Sequence, residues 1–297
     1  MSPIDQTRPF QQRLADFGPE LGAFLGRVWQ SRGSINRSSF NEGVSQIYRM
    51  YSGSEAARPF DAAGLDTFIA DLRGAAGGYA VICQVVDKSL AELGRVEAQV
   101  YGRDLWTDFY HVLSTSSPAN AIRSRVYVHA SGAPASIGLM RVIIDQFGKN
   151  AGLWEAKTAG PGSLRLDTIV CYLYDSGSAD ALVKTLRDTA AQHPDWFTAS
   201  LPPLVQRAAD GIGIADEPPA IEIFRRGGTR HSFGSFMSTL CWVALRTTPN
   251  IATPAADGRH MLDNMLFALR ALQVDPKSPQ RFPEAPALEA WFSASVR

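Results

Sequence analysis

Two apolar periodicities share this chain, and they are partly segregated along it. Up to residue 72 the apolar side chains recur at helical spacing: Leu14, Phe17, Leu21, Phe24, Leu25 and Val28 form one stripe, and Val44, Ile47, Met50 and Tyr51 form a second. Ser52-Gly53 and Arg58-Pro59 interrupt the pattern before a short amphipathic stretch at 60–72. After the glycine-rich run GAAGG at 74–78, which reads as a hinge, Val, Ile and Tyr gather instead in short segments bounded by turn residues, at 79–86, 95–101, 123–130 and 168–174. Helical spacing returns at 136–147, 179–192, 236–246 and 258–272, and a tail begins at Pro283, with Trp291 and Phe292 expected to dock on the body. Segregation of this kind predicts an α+β protein: a helical N-terminal part over 1–75, then an α+β part over 76–297 whose mixed, mainly antiparallel sheet is flanked by helices.

Composition removes several function classes. Hydrophobic residues at 45% and charged residues at 20% suit a folded chain with a real core. Lys+Arg and Asp+Glu are both 29, without the basic excess that phosphate-backbone contacts require, so nucleic acid is not the expected partner. The N-terminal stretch MSPIDQTRPFQQRLADF has no apolar signal core, and no run of about 18 apolar residues exists, so no membrane role and a cytoplasmic location are expected. Cys83, Cys171 and Cys241 are scattered, the first two in apolar runs, which fits a reducing compartment. The five histidines share no ligand spacing, so neither metal nor other cofactor is expected. Phosphate-loop, dinucleotide, zinc-protease and nucleophile-elbow motifs are absent.

What remains is a constellation on the strand segments. Alternation in SRVYVHAS puts Arg125, Tyr127 and His129 on one face and Val126, Val128 and Ala130 on the other. In TIVCYLYD, Val170, Tyr172 and Tyr174 share a face opposite Ile169, Cys171 and Leu173. Between these strands, in a stretch expected to fold as strand, helix, strand, come Lys157 (in WEAKTA) and the pair Arg165/Asp167 (in SLRLDT). Each has a plainer reading. Strand tyrosines pack, lone cations solvate a surface, a single histidine is readily structural, and Arg165 and Asp167 can simply pair with each other.

Six ordered landmarks sharpen the picture: YGRDLWTDFYHVL at 101–113, RVYVHA at 125–130, AKTAG at 156–160, RLDTIVCYLYD at 165–175, LPPLVQRAADGIGIADEP at 201–218 and HSFGSF at 231–236. In this order, over about 79–244, the chain resembles the HopA-type family, which holds a plant-pathogen type III effector and stand-alone bacterial proteins encoded beside kinase-like enzymes. The resemblance implies the lyase subunit of class V lanthipeptide or thioamitide biosynthesis. A kinase-like phosphotransferase subunit phosphorylates Ser or Thr of a ribosomal precursor peptide, and the lyase eliminates the phosphate to leave dehydroalanine or dehydrobutyrine. The chain is also distantly similar to effector phosphothreonine lyases, which carry a cation-x-acid strand, a catalytic lysine and a Tyr-x-Lys strand. By that likeness Lys157 takes the α-proton, Tyr127 protonates the departing phosphate, and Arg125, Arg165, Tyr172 and Tyr174 surround it. Two departures stand out. Tyr127 and Tyr174 replace a histidine and a lysine, and Phe236-Met237-Ser238 follow where relatives carry Arg-Cys after SFG. The second departure keeps open a non-catalytic effector or partner-binding member, and secretion as an effector stays open beside the cytoplasmic location.

The residue types suit the chemistry. β-Elimination needs a base at the α-carbon and neutralisation of the leaving phosphate. A lysine becomes a competent base near neutral pH only where burial or neighbouring cations favour its neutral form, and guanidinium groups also grip phosphate bidentately. Tyr127 and His129, two residues apart on one face, are rival acids. Asp167 suits holding Arg165 rather than touching phosphate. The run GIGIADEP reads as a loop over the site or as a tight turn, and its glycines favour the turn. Arg225, Arg226, Arg230 and His231 form a basic loop, and Arg103 a rim position, for substrate contact or for solvation.

Overall fold

The computed structural model describes residues 8–53, 57–84, 91–92, 103–114, 122–218, 232–250 and 257–282. In chain order the helices are α1 (Phe10–Arg13), α2 (Gly18–Gln30), α3 (Phe40–Ser52), α4 (Ala62–Ala76), α5 (Arg103–Thr107), α6 (Ala133–Ile144), α7 (Ser176–Gln192), α8 (Phe233–Arg246) and α9 (Gly258–Ala271). The strands are β1 (Ala80–Gln84), β2 (Ala91–Glu92), β3 (Phe109–Leu113), β4 (Ser124–Val128), β5 (Leu153–Ala159), β6 (Ile169–Leu173), β7 (Gln206–Ala209) and β8 (Ile212–Asp216). They form the α+β arrangement expected, with a helical N-terminal part. The segment expected at 95–101 and the docking tail lie outside the described residues.

The chain divides into two compact units, 53–215 and 1–52 with 216–297. In the first, the strands make one sheet in the order β2-β1-β3-β5-β6-β4-β8-β7, and the described pairings are antiparallel. One face is apolar because alternate residues of each strand are: Val112 lies opposite Ala156, Ala156 opposite Cys171 and Cys171 opposite Val126. Leu65, Phe68 and Leu72 of α4, Ile137, Met140 and Ile143 of α6, and Leu182 and Leu186 of α7 cover this face in one continuous core. Each such side chain contributes about 1.5–3 kcal/mol by leaving water, which fixes which face the helices take. Helix α4 runs through Gly74 to Ala76, so the break comes at Gly77, whose φ of 59° is left-handed.

The strand, helix, strand expected over 123–174 is corrected by an added strand. β5 pairs with both β3 and β6 and carries Lys157 into the middle of the sheet. Of GIGIADEP, the first glycine completes a tight turn and Ile212–Asp216 run on as strand β8, so the expectation of a turn over the whole run is corrected. Gly211, at φ 67°, joins β7 to β8, and a side chain there would press on the Thr198 carbonyl at 2.7 Å.

The second unit is helical. Tyr51 of α3 packs edge-on against Phe24 of α2 at 6.3 Å and Phe233 of α8 at 6.4 Å. Trp242 of α8 donates to the Asn36 carbonyl at 2.9 Å, and buried Arg13 donates to Asp263 of α9 at 2.5 Å. Ser232 and Asp257 cap α8 and α9 by accepting from Ser235 and Arg259 backbone N–H groups.

Candidate functional site

The sheet face away from α4, α6 and α7 carries the chemistry. Cross-strand partners share a face, so the register writes two rows. One runs His111, Lys157, Val170, Tyr127 across β3, β5, β6 and β4, and the next runs Leu113, Glu155, Tyr172, Arg125. Alternation therefore puts Arg125, Tyr127, Lys157 and Tyr172 on one surface.

Lys157, half-buried, is held by two aromatic rings. Its Nζ stands 4.1 Å over the Phe109 ring and 5.7 Å from the Tyr172 ring centre. Each ring also carries an arginine: the Arg165 guanidinium lies 4.9 Å over Phe109, and that of Arg125 lies 4.6 Å over Tyr172. Ring faces attract cations. Two rings thus gather three positive groups that would otherwise repel one another. Arg165 is anchored by two parallel hydrogen bonds from Nε and Nη2 to the Asp167 carboxylate, at 2.8 and 2.9 Å. Arg125 and Tyr127 are buried, at 6% and 3% exposure.

A β-bulge between Leu153 and Glu155 re-aims Trp154. The indole stacks on Tyr174 at 6.3 Å, 10° from parallel, and tilts against Tyr172 at 6.5 Å. Burial, and then the Glu155 carboxylate, push the Tyr174 hydroxyl above its ordinary value, so it is protonated at neutral pH.

Sequence reasoning missed one constellation on this face. The buried His111 Nδ1 and Glu155 Oε1 are 2.5 Å apart, diagonally across β3 and β5, with His111 directly opposite Lys157. The carboxylate accepts from Nδ1, which fixes the ring's orientation beside the lysine. The available signal was the polar alternation of WEAKTA, which places Glu155 and Lys157 on one face.

His129 stands apart, two residues beyond Tyr127, where the sheet ends and α6 begins. It lines a cleft of about 490 Å³, counting the part open to solvent, together with Arg58, Ser131, Gly132, Arg165 and Thr168. Burial pushes the imidazole below its ordinary 6.5, against smaller opposing effects of the Ser200 carbonyl and Asp167. A carbonyl only accepts, so Nδ1–H donates to Ser200 at 3.0 Å and leaves Nε2 as an acceptor. A neutral imidazole is a poor proton donor at pH 7.

The remaining candidates lie at the margin of the description. Arg225, Arg226, Arg230 and His231 fall outside the described residues, and for Arg103 only its place in α5 is described. Burial pushes the thiols of Cys83 and Cys241 up to about 12 and raises Cys171 as well, so none is a thiolate at neutral pH. Among the described residues no group of three His, Cys, Asp or Glu could hold a metal, and no helix is long and apolar enough to cross a membrane.

Comparison with known proteins adds the following. A family model described as the HopA1 effector protein family matches residues 105–281, a span that contains Arg125, Tyr127, Lys157, Arg165 and Tyr172. Two solved structures are similar over almost the whole chain. The effector protein from Pseudomonas syringae pv. tomato strain DC3000 matches with a TM-score of 0.62 and 20% identity, covering 92% of this chain and 99% of that one. The effector protein from Pseudomonas syringae pv. syringae strain 61 matches with a TM-score of 0.63 and 17% identity, covering 92% and 98%. None of the curated proteins matches. At these identities the structural likeness speaks for the fold alone.

Proposed function

We propose that this chain, which belongs to the HopA1 effector protein family, is a phosphoserine/phosphothreonine lyase that works by β-elimination. The observation that carries the reading is the placement of Lys157, whose ammonium shares Phe109 with Arg165 and Tyr172 with Arg125. Arg125 and Arg165 grip the phosphate and hold its ester beside Nζ. Lys157, in its neutral form, removes the α-proton; the C–H electron pair becomes the Cα–Cβ double bond, and the Cβ–O pair leaves with the phosphate. Arg125 and Arg165, which hold the phosphate, also stabilise the departing anion. Tyr127, buried on the same row, donates to the leaving oxygen in preference to His129, which is neutral. The substrate is a phosphorylated precursor peptide, presented in the cytoplasm by a kinase-like subunit, and the products are the dehydroalanine and dehydrobutyrine of lanthipeptide-type modification.

A second reading has one observation in its favour. Phe236 and Met237 stand where the resemblance expects Arg-Cys, and both are buried in α8, with Phe236 against Phe282 at 5.5 Å. That fits a partner-binding member without turnover. Mass spectrometry of a phosphothreonine peptide incubated with the protein separates the readings. The expected result is loss of phosphoric acid. Loss of the phosphoryl group alone would mean hydrolysis, and an unchanged mass would leave the binding reading standing.

A further inference from the structure

We propose that the cleft where α6 begins is a second anion subsite, which takes an acidic side chain of the substrate two residues from the phosphoresidue at Lys157. The inference rests on the lyase reading and adds to it a class of peptide substrate: one with a carboxylate or a second phosphate at that spacing.

Three observations carry it. First, the cleft is cationic in a chain whose formal charge is zero: Arg58 and Arg165 line it, and among the described residues no carboxylate does. The nearby Asp167 is held by Arg165 through both its oxygens. Second, Arg58 is fixed at its backbone and exposed at its head. Its N–H donates to the Gly162 carbonyl at 2.8 Å, and its own carbonyl accepts from the Trp106 indole at 3.1 Å. Among the described residues nothing engages its guanidinium, so a ligand anion there displaces only water. Third, the cleft continues the reaction surface. Of the residues that line it, Ala159 and His129 come two positions after Lys157 and Tyr127 and Thr168 two positions before Val170, which makes them the next row along the sheet, and Arg165 reaches both the cleft and the ring that holds Lys157. Two residues of strand span about 7 Å, the same step that an extended peptide makes in two residues. A peptide lying along these strands with its phosphate beside Lys157 therefore brings its second neighbour to the row of Ala159, Thr168 and His129, in the cleft that Arg58 lines.

The test uses the full chain and fluorescein-labelled phosphoserine peptides that carry Asp, phosphoserine or Ala two residues to either side. Fluorescence anisotropy gives Kd, and mass spectrometry gives the KM for elimination. The wild type is expected to favour an acidic neighbour on one side by about tenfold in Kd, the scale of one charge-assisted contact. Arg58→Ala should bring that ratio close to one, and Arg58→Lys should keep part of it. Comparing Asp with phosphoserine identifies the anion. Equal affinities in the wild type, or a preference that survives Arg58→Ala, would overturn the subsite. Failure of every peptide to eliminate would overturn the lyase reading instead, while the anisotropy ratio would still decide the subsite.

Discussion

His129 and Lys157 lie on the same sheet face, yet their surroundings set them different tasks. Lys157 is surrounded by cations on shared rings, whereas His129 is desolvated and donates to a carbonyl. A histidine whose folded-state pKa lies below 6.5 refuses a proton that the unfolded chain accepts. Between those two values the unfolded state binds more protons, so stability rises with pH through that window and is lost as pH falls through it; above 6.5 this contribution is flat. Urea midpoints measured between pH 7.5 and 5 should therefore fall less steeply for His129→Gln than for the wild type. Identical slopes would show that His129 titrates normally. Much of the site was legible at this scale, because strand alternation put Arg125, Tyr127 and His129 on one side without any structure. The His111–Glu155 pair was not, because its members are 44 residues apart and alternation says nothing about register.

Strands were read where Val and Ile crowd together, as in β4 and β6, and missed where the side chains are mixed. β5 shows why. Its sequence LWEAKTA has few β-branched residues, and the bulge at Trp154 breaks the period-two pattern that would have revealed it. The glycines after it, in AGPG, make room for another element. A side chain at Gly162 would enter the Trp106 indole, which packs above it and donates to the Arg58 carbonyl. Gly162→Ala should therefore destabilise the protein by about 1–3 kcal/mol through overpacking, lowering the thermal midpoint by a few degrees. An unchanged midpoint would mean that Trp106 is not fixed in place.

Across the molecule, a balanced charge total conceals an uneven distribution. Arg58, Arg125, Lys157 and Arg165 all belong to the sheet unit, three of them gathered by Phe109 and Tyr172 and the fourth in the adjoining cleft. Composition averages over such a cluster, so the net charge bore on the expectation about a duplex partner and said nothing about a phosphate. Nor did the helical spacing of α2 and α3 say that they share a unit with α8 and α9, because periodicity marks a buried face and not what covers it. The fold shared with the two effector structures leaves the chemistry to the residues placed on it. The most direct measurement is single-turnover elimination from a phosphothreonine peptide by the wild type and Lys157→Ala, with peptide binding followed in parallel. A general base of this kind contributes at least about a hundredfold, so the variant should bind the peptide and form dehydrobutyrine at least that much more slowly. Dehydrobutyrine forming at the wild-type rate in Lys157→Ala would contradict the role given to that amine.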